Sequence, residues 1–79
     1  MRAAKLSSSL ISRIGYDEAD RLLKVWFRDG PLYCYFDVPE GVFEGLRNAD
    51  SPGRFYNARV KGAYRCSFDP ARRRFRPAA

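Results

Sequence analysis

Seventy-nine residues with a net charge of +6, 46% of them hydrophobic and 15% aromatic, suffice for one domain around one small core and are too few for a catalytic cleft between domains. The absence of histidine removes Ser-His and Cys-His nucleophile pairs and imidazole metal sites, and two cysteines, Cys34 and Cys66, make neither a disulfide framework nor a metal centre. No apolar run reaches the roughly 18 residues of a membrane span, and the N-terminus lacks the apolar stretch of a signal peptide, so the expected location is the cytoplasm, away from membranes.

Residues 1–8 are small, polar and basic and read as a flexible lead-in. Alternation then predicts a strand from Ser9 to Tyr16, with Leu10, Ser12, Ile14 and Tyr16 on one face and Ile11, Arg13 and Gly15 on the other. The charged stretch Asp17-Glu18-Ala19-Asp20-Arg21 turns into the most strongly patterned segment, a hairpin over residues 22–38. If Asp29-Gly30 is a two-residue loop, Trp26 stands opposite Tyr33 and Lys24 opposite Tyr35. One hairpin face then carries Leu23, Val25, Phe27, Leu32, Cys34, Phe36 and Val38, the other Lys24, Trp26, Arg28, Tyr33, Tyr35 and Asp37. The apolar face must be core, with Cys34 as a small buried hydrophobe.

After Val38 the period becomes helical. Val42, Phe43, Leu46 and Ala49 share a stripe, Pro39 suits the first turn, and Glu40 and Glu44 lie near the positive end. Gly41 and Gly45 each weaken such a helix by up to about 1 kcal/mol, so it depends on packing its stripe against the sheet. Asp50-Ser51-Pro52-Gly53 breaks it; either Ser51 caps a second short helix holding Phe55, Tyr56 and Ala58, or Gly53 marks a plain turn. Residues 59–68 alternate roughly and leave open a further edge strand. Residues 70–79, with Arg72, Arg73, Arg74 and Arg76, read as an unfolded basic tail. The fold class is therefore α+β: an antiparallel sheet of three to four strands with one or two short helices packed on one face, over residues 9–69.

Five blocks in this order resemble the KTSC domain: Ile11-Ser12-Arg13-Ile14-Gly15-Tyr16-Asp17, Leu23 to Gly30, Tyr33-Cys34-Tyr35-Phe36-Asp37-Val38-Pro39, Ser51-Pro52-Gly53-Arg54-Phe55-Tyr56-Asn57, and Lys61-Gly62-Ala63-Tyr64. The resemblance covers Ser9 to Tyr64. It implies a small bacterial module that occurs at the C-terminus of some lysyl-tRNA synthetases and also free-standing. RNA binding has been suggested for the family from that association, and its function is not established. The family's usual arginine is Lys61 here, which keeps the charge but loses the two-pronged phosphate grip. The tail from Ala71 onward lies outside the pattern.

Charge is unevenly spread. Residues 1–13 carry three bases and no acid, residues 14–53 four bases and eight acids, and residues 54–79 eight bases and one acid, Asp69. A basic C-terminal third on a mildly acidic body is the footprint of a polyanion contact. The leading expectation is a non-catalytic module binding RNA, tRNA among the candidates. Trp26, Tyr33 and Tyr35 would stack on bases, and Lys24, Arg28, Arg54, Arg59, Lys61, Arg72, Arg73, Arg74 and Arg76 would meet phosphates. A second candidate is the helix start near Ser51 to Gly53, whose backbone N–H groups would hold a phosphate with Arg54, Arg59 and Lys61 nearby. Both candidates have plainer readings: the rings as packing groups with wet tips, and Ser51, Gly53 and Asn57 as capping and turn residues. The rival function is a protein-interaction or self-associating module using an edge strand or the exposed rings. Enzymatic chemistry is not expected, since Asp17, Glu18 and Asp20 share one turn and Glu40 and Glu44 one helical face, all readable as solvated. No cofactor is called for.

Overall fold

A computed structural model describes residues 2–69 as strands β1 (Arg2–Lys5), β2 (Ile11–Asp17), β3 (Leu22–Phe27) and β4 (Leu32–Tyr35), helices α1 (Glu40–Asn48) and α2 (Pro52–Phe55), a π-helical turn Tyr56–Val60, and β5 (Cys66–Asp69). The strands form one antiparallel sheet in the order β1-β2-β3-β4-β5. The α+β class and helices on one face agree with the sequence. The strand number does not: there are five, not three or four. The expected basic tail lies outside the described residues.

The added strand is β1, in the stretch expected to be a flexible lead-in. Arg2 stands opposite Tyr16 and Ala4 opposite Ile14, so both face the helices. There Arg2 pairs with Glu18 at 3.4 Å and with Glu40 and Glu44, and its guanidinium lies 4.9 Å from the Phe43 ring centroid. All four partners are at least 16 residues away in sequence, which is why local composition does not announce the strand.

In β2, strict alternation fails at Ser12. Ile11 pairs with Phe27 and Arg13 with Trp26, leaving Ser12 as an extra residue in a bulge, its hydroxyl donating to the Trp26 carbonyl at 3.1 Å. The bulge turns Ile11 inward beside Ile14 and Tyr16, all three buried, and leaves Leu10 exposed.

The hairpin register is shifted by one residue from the expected one. Leu23 pairs with Tyr35, Val25 with Tyr33, Lys24 with Cys34 and Trp26 with Leu32. Residues 28–31 form the connection; the Gly30 N–H donates to the Phe27 carbonyl, and neither Asp29 nor Gly30 takes a positive φ. Pro31 has no N–H for a ladder bond, so the strand begins one residue later than a two-residue loop requires. A one-residue slip turns a whole strand over. Tyr33 and Tyr35 therefore share the helix-covered face with Leu23 and Val25, while Leu32 and Cys34 lie on the other face with Trp26 and Lys24. Cys34 is half-buried there rather than part of the core.

The core joins Ile11, Ile14, Tyr16, Leu23, Val25, Tyr35 and Val38 to Phe43 and Leu46 of α1 and to Tyr56 and Val60. Phe43 stacks on Tyr16 at 5.6 Å between centroids, and the Tyr16 hydroxyl donates to the Val38 carbonyl at 2.5 Å. Pro39 takes the N-cap position of α1, just outside the first turn, and Ser51 that of α2, where it makes no side-chain capping bond.

Candidate functional site

The helical segment after Pro52 widens at its end. The Lys61 N–H donates to the Tyr56 carbonyl at 2.9 Å, a bond five residues back, and Gly62 follows with φ +77°. Such π turns are frequent at functional sites. This one sets Tyr56 inward against the sheet while Asn57 and Lys61 stay exposed.

Between this segment, the hairpin tip and the start of β5 lies a groove of about 550 Å³. Its walls are Phe27, Tyr33, Tyr35, Tyr56 and Tyr64, with Asn57 and Lys61 at the π turn and Cys66 on β5. The rings brace one another. Phe27 meets Tyr33 edge-on at 5.3 Å and Tyr56 at 5.2 Å, and Tyr33 stacks on Tyr35 at 6.3 Å. The hydroxyls of Tyr35 and Tyr56 are hydrogen-bonded to each other. Burial pushes the Tyr35 phenol far above its usual range, and the bond to Tyr56 raises it further; burial also raises Tyr56, with that bond acting the other way. Both stay neutral at ordinary pH. Among the described residues that line the groove, Lys61 is the one charged side chain and no carboxylate is present. Residues 54–65 add Arg54, Arg59 and Arg65 without an acid.

This geometry separates the sequence candidates. Tyr33, Tyr35 and Lys61 come together in the groove. Trp26 and Lys24 are on the opposite face of the sheet, because the register places Leu32 and Cys34, not tyrosines, beside them. Trp26 lies over Gly15, whose added Cβ would sit 3.3 Å from the ring, and carries the Arg13 guanidinium 5.7 Å from its centroid. Arg28 donates to the carbonyls of Ser8 at 2.7 Å and Leu6 at 3.3 Å, tying the β1–β2 loop to the hairpin. Arg54 and Arg59 are exposed and do not line the groove. Arg72, Arg73, Arg74 and Arg76 are outside the described residues. Sequence reasoning gave Phe27 to the core and passed over Tyr56, Asn57 and Tyr64 as groove residues. The last three fall inside the blocks Ser51 to Asn57 and Lys61 to Tyr64, the signal that could have singled them out.

The KTSC domain profile matches residues 7–64, which takes in the hairpin, both helices and the π turn. The chain belongs to the KTSC family. A KTSC domain protein of Yersinia pestis has the same fold in its crystal structure, with a TM-score of 0.82 and 37% identity over 86% of this chain and 96% of that one. A protein of Tsukamurella paurometabola is 43% identical over 60 residues, covering 76% of this chain and 90% of its own. The lysine–tRNA ligase of Nostoc punctiforme is 36% identical over 61 residues, 77% of this chain but 11% of the ligase, so the likeness is to one small domain of that enzyme. Among the described residues, no group of three or more His, Cys, Asp or Glu side chains could hold a metal ion, and no helix is long and apolar enough to cross a membrane.

Proposed function

We propose that this KTSC domain is a non-catalytic RNA-binding module that receives an unpaired nucleotide in the tyrosine groove. The observation that carries the reading is the groove's composition: among the described residues, four tyrosines and a phenylalanine line it, with Lys61 as the charged lining residue and no carboxylate. Aromatic faces stack on any base for about 1–3 kcal/mol each, and a cation beside them meets the phosphate. In this reading Tyr33 and Tyr64, both half-buried, offer ring surface. Lys61 meets the backbone, and Asn57 offers an amide to a base edge or ribose. Arg54, Arg59 and Arg65 raise the local positive potential for the rest of the strand. The family's presence within lysine–tRNA ligases supports an RNA partner, tRNA among the candidates.

The test is an NMR titration of the ¹⁵N-labelled protein with a short single-stranded RNA at two salt concentrations. Shifts are expected at Asn57, Lys61, Tyr33 and Tyr64, fading as salt rises, while the Trp26 indole signal on the opposite face stays in place. Shifts centred on Trp26, or none at all, would overturn the reading.

A further inference from the structure

The Tyr35–Tyr56 pair has more protons than it uses. The two residues are 2% and 6% exposed, and both line the groove. Each hydroxyl carries one proton and can also accept, yet the pair shares a single hydrogen bond. Among the described residues, neither hydroxyl has another hydrogen-bond partner. When Tyr35 donates to Tyr56, the Tyr56 proton is left over, and in the reverse arrangement the Tyr35 proton is. Either way one O–H is left unused by the protein and can donate to an acceptor in the groove that both residues line.

We propose that this spare proton is the groove's recognition element, donating a hydrogen bond to a carbonyl or ring-nitrogen acceptor on the edge of the bound nucleobase. The inference rests on the reading of the groove as a nucleotide site. Ring stacking alone does not separate a base from an apolar ring of the same shape. A donor from the groove lining does, because a bound ligand without an acceptor shuts out water and leaves the proton unmatched. The proton can be presented from either ring, so the pair can follow an acceptor between two positions without a change of backbone.

The experiment measures binding of the full chain to fluorescently labelled hexauridylate. A second oligomer carries 2,4-difluorotoluene in place of uracil, which keeps the shape and is a poor acceptor. The wild type is expected to bind the uridine oligomer about ten-fold more tightly. Tyr35→Phe and Tyr56→Phe, taken singly, should keep that preference, because the remaining hydroxyl is released to donate. The double variant Tyr35→Phe/Tyr56→Phe should bind both oligomers alike. Equal binding of the two oligomers by the wild type, or a preference that survives in the double variant, would overturn the inference. The wild-type comparison needs no variant, so misfolding of the double variant leaves the test intact. Failure of the wild type to bind either oligomer would sink the nucleotide reading of the groove itself, and this inference with it.

Discussion

The Phe55 ring occupies the space where a side chain on residue 45 would begin: a Cβ on Gly45 would lie 2.6 Å from its Cζ and 2.9 Å from its Cε2. This close approach seats α2 on α1 and so positions the π turn and Lys61. Glycine in a helix interior is ordinarily a weakness of up to about 1 kcal/mol relative to alanine. Here the packing reverses the sign. Gly45→Ala is expected to destabilise the domain by about 1–2 kcal/mol, as an overpacked contact does. Gly41→Ala on the same helix, with nothing within 4 Å of its Cβ, should stabilise by about 0.5–1 kcal/mol. Thermal melts of the two variants should move in opposite directions by about 5 °C; movement in the same direction would refute the packing argument.

Arg2 holds the edge strand to the helix layer. It faces Glu18, Glu40 and Glu44 and lies over the Phe43 ring, with its side chain one-third exposed. Partial exposure screens these pairs, so Arg2→Met, which keeps the stem and removes the charge, should lower stability by about 1 kcal/mol rather than several. Urea denaturation is the measurement. Adding 1 M NaCl should remove most of the difference between wild type and variant, since salt screens exposed pairs. A difference that is unchanged by salt would place the effect in packing instead.

Alkaline pH should unfold the domain through Tyr35 and Tyr56. Both phenols are raised above their ordinary value of about 10 in the folded chain. The unfolded chain therefore loses these protons first. The stability they contribute is fully present below about pH 10 and is lost as pH climbs above it. Ultraviolet titration followed alongside circular dichroism should show the two groups ionising only as structure is lost. Ionisation of all the tyrosines near pH 10 in a folded protein would contradict the buried pair.

If Lys61 meets a phosphate, removing its charge should act on affinity and on salt dependence together. Lys61→Met is expected to weaken binding of a short RNA about ten-fold at low salt and to reduce the slope of log affinity against log salt by about one. Lys61→Arg should bind at least as tightly as the wild type. Anisotropy titrations at several salt concentrations check both. An unchanged slope in Lys61→Met would remove the residue from the phosphate contact.

Much of the frame was legible from residue order. The alternation of Leu23, Val25 and Phe27 marked the central strand, and the 3.6-residue spacing of Val42, Phe43 and Leu46 marked α1. The five blocks of resemblance placed the chain in its family. These signals are local: a period of two or 3.6 is set by backbone geometry within a few residues, and burial follows it.

What the tertiary structure alone decided is how those pieces face one another. The Arg28–Pro31 connection shifts β4 by one residue against β3, and because side chains alternate, that step moves Tyr33 and Tyr35 away from Trp26 and into the groove. The bulge at Ser12, the pairing of Arg2 with carboxylates 16 to 42 residues away, and the meeting of Tyr35 with Tyr56 across 21 residues have the same character. Each depends on the relative placement of elements that no local pattern encodes. The aromatic and basic residue types of the site were thus readable from the chain, while the choice of which of them share one surface came from strand register and helix packing.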